Sequence, residues 1–147
     1  MQFSTLFLGL SAAASAMAAP AAINTEAVSA MAAVPEWTIK SFTRTCNKAD
    51  TSCVVSFGID NHLAPVTQCG YTVVGSPASQ AATDGIRCGV YTVSSGWSGV
   101  FGPGNGFTTW SVVNWDLRLI AWPSYSDREL TNGVAVTPDK SYAPANL

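Results

Sequence analysis

Two groups of residues in this 147-residue chain have the side chains for hydrolysis. The first centres on His62, the sole histidine, two positions after Asp60, where an imidazole beside a carboxylate could serve as general base to a hydroxyl. The local sequence singles out no serine as its nucleophile, and a histidine in Asp60-Asn61-His62-Leu63 reads more simply as a solvated turn residue. The second draws on Asp116, Asp127 and Glu129, since glycoside hydrolysis needs two carboxyl groups, one kept protonated by apolar surroundings. Only Asp116, between Trp115 and Leu117, has such neighbours, and turn or capping roles account for all three more simply. Gly96-Trp97-Ser98-Gly99-Val100 resembles a nucleophile elbow without its closing glycine, and no alternation of strands and helices surrounds it. Gly102-Pro103-Gly104-Asn105-Gly106 lacks both dinucleotide-binding and P-loop spacing, so it reads as a tight loop needing positive φ. No catalytic residue and no cofactor is therefore assigned.

The four cysteines, Cys46, Cys53, Cys69 and Cys88, suit disulfides better than metal. Their spacing matches no zinc pattern, so no metal partner is expected. Sequence allows three pairings. Cys46 with Cys53 is favoured because the polar run 47–52 would turn the chain and bring its flanking cysteines opposite one another, which leaves Cys69 with Cys88. Loop-closure entropy gives these bridges roughly 2.5 and 3.3 kcal/mol.

Such bridges require export, and the N-terminus agrees. Phe3 to Leu10 is apolar and uncharged and soon meets Ala16-Met17-Ala18, so residues 1–18 read as a secretory signal peptide. That core is shorter than the roughly 20 residues a spanning helix needs, and no stable membrane anchoring is expected. Residues 19–35, rich in alanine, read as a propeptide or disordered arm, and 36–147 as a single all-β secreted domain. Seven Lys or Arg against nine Asp or Glu form no basic patch, which argues against nucleic acid as a partner.

From Trp37 the chain alternates short β-branched and aromatic runs with Gly, Pro, Asn and Asp. Strands are expected over 37–43, 53–59, 68–74, 89–94, 96–101, 107–114, 117–122 and 134–137, with Cys53, Val55, Phe57 and Ile59 on one buried face. Seven to eight mainly antiparallel strands of this length predict a small disulfide-linked β-barrel or β-sandwich. A loop is expected over 75–87, a hairpin turn at Asn114-Trp115-Asp116, a helical turn at 127–130 capped by Ser126, and a surface strap over 138–147.

Aromatic residues crowd the stretch from Trp97 to Trp122, and in 107–114 both strand faces carry large apolar groups. Either these rings fill a small core, or one row is exposed and meets a cell-wall glycan or a protein.

Cys46-Asn47-Lys48-Ala49-Asp50-Thr51-Ser52-Cys53, Ser95-Gly96-Trp97-Ser98-Gly99, the run from Phe101 through Gly106 to Thr109, and Arg118-Leu119-Ile120 together resemble a family of small secreted fungal proteins. These are the hypersensitive-response-inducing elicitors of the rice-blast type, and the resemblance spans roughly 36–144. Trp37, Ile39, Phe42 and Arg44 are similar to the opening of the major Alternaria allergen family. The resemblance implies a non-enzymatic effector in the apoplast, perceived by a plant receptor or target protein and answered by localised cell death. It brings no catalytic residues. The loop 96–107 is the expected recognition surface, its glycines giving an unusual backbone shape and Trp97, Asn105 and Phe107 the contact groups. A wall-polysaccharide-binding module and a small hydrolase stand as alternatives.

Overall fold

Alternation of inward and outward side chains explains most of the architecture. A computed structural model describes residues 33–147, so the signal peptide and nearly all of the alanine-rich arm lie outside the described residues. Ten strands follow: β1 Trp37–Cys46, β2 Ser52–Asp60, β3 Thr67–Val74, β4 Thr83–Cys88, β5 Tyr91–Ser98, β6 Phe107–Asn114, β7 Leu119–Ala121, β8 Ser124–Ser126, β9 Lys140–Tyr142 and β10 Ala145–Asn146. One sheet has the order β3-β2-β1-β9; the other runs β10-β7-β6-β5-β4, with β8 paired to β6. All pairings are antiparallel. The sheets face each other as a sandwich rather than closing into a barrel.

Both sides of the sandwich are fastened. On one, Cys69 of β3 and Cys88 of β4 join the edge strands of the two sheets. On the other, β9 pairs with β1 and β10 with β7, so the C-terminal strap bridges one sheet to the next. Cys46 and Cys53 are register partners at the β1–β2 turn, as the polar run between them predicts. This arrangement leaves little free edge for unwanted strand addition.

Cys53, Val55, Phe57 and Ile59 are all buried, as expected from their period of two. In β1 that period breaks. Trp37 and Ile39 point inward, the register then shifts between Lys40 and Thr43, and Phe42 becomes the next inward residue. Ser41 takes φ 49° at this bulge, and its amide donates to Asp139 Oδ1 at 2.8 Å. The inserted phenyl ring is the centre of the core: its centroid lies 5.2 Å from Phe57, 4.7 Å from Trp110 and 4.4 Å from Tyr125, joining both sheets.

Several expected elements differ. The stretches expected over 89–94 and 96–101 merge into one strand, β5, because Gly96 stays in register opposite Thr109, while 89–90 and 99–101 lie in the flanking turns. The expected loop 75–87 contains a 3₁₀ turn at Ala78–Gln80 and strand β4, whose irregularity at Asp84 and Gly85 hides its alternation. Residues 134–137 form no strand: they reach the bulged part of β1 through the single bond from Val136 N to Phe42 O. The β6–β7 hairpin turns over Trp115–Arg118, with Leu117 N bonded to Asn114 Oδ1, which shortens β7.

The bulge should give the fold a pH dependence. The Lys40 ammonium, 2.8 Å from Asp139 Oδ2, and the Ser41 amide hold the Asp139 carboxyl below its usual value. A carboxyl depressed in the folded state stabilises above its unfolded pKa, about 4, and that stabilisation is lost as pH falls through the folded value. Thermal melts of Asp139→Asn should therefore lie below the parent at neutral pH and converge with it in strong acid. A constant gap at all pH values would show that the charge does not support the bulge.

Candidate functional site

The glycine-rich loop between β5 and β6 is built around one tryptophan. Trp97, near the end of β5, is half-buried and its indole Nε1 donates to Asp127 Oδ2 at 2.8 Å. The other carboxylate oxygen of Asp127 accepts from Arg44 Nη2 at 3.1 Å, and the Asp127 amide closes on Gly106 O at 2.9 Å. Arg44 is nearly buried and also donates to Ser79 O, while Ser79 N and Oγ donate to the Asp50 carboxylate. One polar chain thus ties the disulfide-closed β1–β2 turn, the 3₁₀ turn, β1, the segment after β8 and the loop together.

Two glycines are there for contact rather than for φ. A Cβ on Gly99 would lie 2.5 Å from Trp97 Cη2, and one on Gly106 would lie 2.7 Å from Cζ2. Only hydrogen lets the backbone lie against the indole. Gly102 and Gly104, at φ 88° and 74°, supply the positive φ that the sequence predicts. Asn105 Nδ2 donates to Phe101 O and Pro103 O, and Arg128 donates to Gly104 O and Asn105 Oδ1, each at 3.0 Å. Phe107 is partly buried, its ring 5.6 Å from that of Phe101.

Of the three expected contact residues, Trp97 and Asn105 thus spend their polar groups on holding the loop. Its projecting apolar groups are Val100 and Phe101, 74% and 70% exposed. They carried no sequence signal of their own, being flanked by glycine in a stretch that read as strand. Trp97, Gln80, Pro103 and Asp127, with the loop glycines, line a cleft of about 350 Å³.

The hydrolytic candidates assemble only in part. His62, at φ 59°, places Nε2 2.9 Å from Thr38 Oγ1, a hydroxyl that also contacts Ser141 Oγ at 2.8 Å. Asp60 Oδ2 lies 3.6 Å from His62 Nδ1, beyond hydrogen-bond range, and Asp60 Oδ1 instead caps the His62 amide. Imidazole and hydroxyl meet on the outer face of the four-stranded sheet, near the start of β1 where it lies between β2 and β9. Asp127 is taken up by Arg44 and Trp97. Burial alone pushes the Glu129 carboxyl up, but bonds from Lys140 and Ser126 outweigh it and leave the group below its usual value. Asp116 stands exposed in the β6–β7 turn. Ser126 and Glu129 exchange bonds in the capping arrangement expected of them. Cys46, Asp50 and Cys53 bring three potential metal-ligand atoms within 4.8 Å, but both sulfurs are in the disulfide and Asp50 serves Ser79.

Residues 38–147, which hold nearly all of the sandwich and the whole of this loop, match the family model described as effector TSP1. The chain is also 50% identical over 144 residues to the effector TSP1 of Hypocrea virens, covering 97% of this chain and 96% of that one. The chain belongs to the effector TSP1 family. The resemblance to small fungal elicitors thus resolves into a fungal effector family, and the TSP1 match includes both disulfides and every residue from Arg44 to Arg128 that shapes the loop.

Proposed function

We propose that this TSP1-family protein is a secreted, non-enzymatic effector that elicits plant defence, including hypersensitive cell death, when a receptor or apoplastic protein recognises its surface. Membership of an effector family supports the class. Four cysteines held in two disulfides, with no free cysteine among the described residues, suit an oxidising extracellular space. The observation that carries the recognition reading is the exposed Val100–Phe101 tip on a loop locked from beneath by Trp97 and Asp127. Ordering this loop in advance reduces the entropy lost on binding, and a projecting aromatic suits a pocket on a partner.

Leaf infiltration tests it. Val100→Ser combined with Phe101→Ser should raise the dose needed for a given necrotic response by at least about tenfold, with an unchanged melting temperature. His62→Ala and Asp116→Asn should respond like the parent. An undiminished response from the tip variant removes the loop from the account, and loss in either of the other two restores catalysis as the explanation.

A further inference from the structure

The outer face of the six-stranded sheet has features that the loop does not use. Side chains of β5 and β6 that point away from the core form four cross-strand pairs, Thr92 with Val113, Ser94 with Ser111, Gly96 with Thr109 and Ser98 with Phe107. None is charged, the two middle pairs are small, and a Cβ added to Gly96 would meet nothing within 4 Å, while the buried Val113 and the partly buried Phe107 close the row at its two ends. The result is a flat strip bearing hydroxyl groups. Two tryptophans flank it. Trp122, 50% exposed, lines a shallow depression with Ser94, Gly96, Thr109 and Ser111. Trp115, 52% exposed, donates its indole N–H to Thr92 Oγ1 at 3.2 Å. From Thr92 to Ser94 or Gly96 is two to four residues of strand, so the rings stand roughly 7 to 13 Å apart along it.

We infer that this face binds an uncharged, extended, β-1,4-linked oligosaccharide. Half-exposed indoles present flat apolar surface to the C–H face of a sugar ring, and hydroxyl groups between them can exchange hydrogen bonds with sugar hydroxyls. Charge points the same way: the ionised groups on this face, Asp84 and Arg87, are confined to the β4 edge, and Asp84 is taken up by Ser94 Oγ. A dry protein interface would be centred on contiguous apolar side chains, whereas here the centre is serine, threonine and glycine. A β-1,4-linked chain, joined through opposite equatorial positions, is flat enough to lie along the strip, while coiled α-1,4-linked and β-1,3-linked chains are not. Phe107 connects this face to the Phe101 ring, 5.6 Å away, but neither Val100 nor Phe101 lines the depression, so the two readings are tested by different residues.

The test is titration of the purified protein with the β-1,4-linked cellohexaose and chitohexaose, with maltohexaose and laminarihexaose as coiled controls, followed by calorimetry and tryptophan fluorescence. Saturable binding to at least one β-1,4-linked hexaose, insensitive to added salt and absent with both controls, is the expected result. Trp115→Ala and Trp122→Ala should each weaken it by about tenfold. Trp122→Phe should retain most of it, Ser111→Arg should abolish it, and Val100→Ser should leave it unchanged. No saturation with either β-1,4-linked hexaose, or affinity unaltered in a folded Trp115→Ala/Trp122→Ala protein, overturns the proposal. So does a concentration-dependent dimer that the same double substitution dissociates, since a second copy would then be the occupant.

Discussion

Replacing Cys69 and Cys88 together by serine should lower the free energy of unfolding by about 3 kcal/mol, read from urea denaturation. The bridge closes 19 residues of sequence, and in the folded protein it joins the edge of one sheet to the edge of the other. Without it the unfolded chain gains freedom, and the β3–β4 side of the sandwich keeps only packing. The opposite side has the continuous backbone from β9 to β10 and is untouched. Serine at Cys46 and Cys53 should cost less, about 2 kcal/mol, because only seven residues separate that pair and β1–β2 pairing already holds the turn. A loss below about 1 kcal/mol for the longer bridge would mean that side-chain packing alone fastens the edges.

The second large effect is expected at Asp127. Its carboxylate is the one group that satisfies both the nearly buried Arg44 guanidinium and the Trp97 indole. Asp127→Ala leaves a cation with little access to water and no counter-charge. A fully buried pair broken in this way costs about 3–5 kcal/mol, and the partial exposure of Asp127 reduces that to about 2 kcal/mol. The change should also be local. Amide hydrogen exchange in residues 99–106 should accelerate, including the Gly102 and Asn105 amides that bond within the loop, while β1 and β2 keep their protection. Unchanged exchange in the loop would show that Asp127 supports Arg44 alone.

The parts of the fold legible in the sequence are those fixed by neighbours in sequence. β2 announces itself through Cys53, Val55, Phe57 and Ile59; the Cys46–Cys53 bridge follows from the polar turn between its ends; and Ser126 with Glu129 is a capping pair three residues apart. What stayed hidden depends on distant contacts. The bulge at Ser41 changes the phase of β1 because Asp139, almost a hundred residues on, can accept the exposed amide. Strands β8, β9 and β10 are two or three residues long, too short to show a period, and exist because β6, β1 and β7 offer them partners. The aromatic surplus divides by location rather than by type: Trp37 and Trp110 fill the core, whereas Trp115 and Trp122 stand outside.

The candidate site shows the same limit. Its glycines and its position were visible, but the function of Trp97 was not, because Asp127 lies 30 residues and Arg44 more than 50 residues away. Weighed by its neighbours alone, Asp127 was a capping residue or a hydrolytic acid. In the fold it is the post to which the loop is tied.

The account holds that the shape of this loop is the signal, and Gly106→Ala tests that most directly. The new methyl group would lie 2.7 Å from Trp97 Cζ2 and 2.8 Å from its Nε1, so the loop must move, at a cost of about 1–3 kcal/mol that the sandwich can sustain. The measurement is the dose-response of the folded variant in leaves. We predict loss of the response by at least about tenfold although every projecting side chain is still present. A full response from protein whose loop amides exchange faster than the parent's would contradict the account.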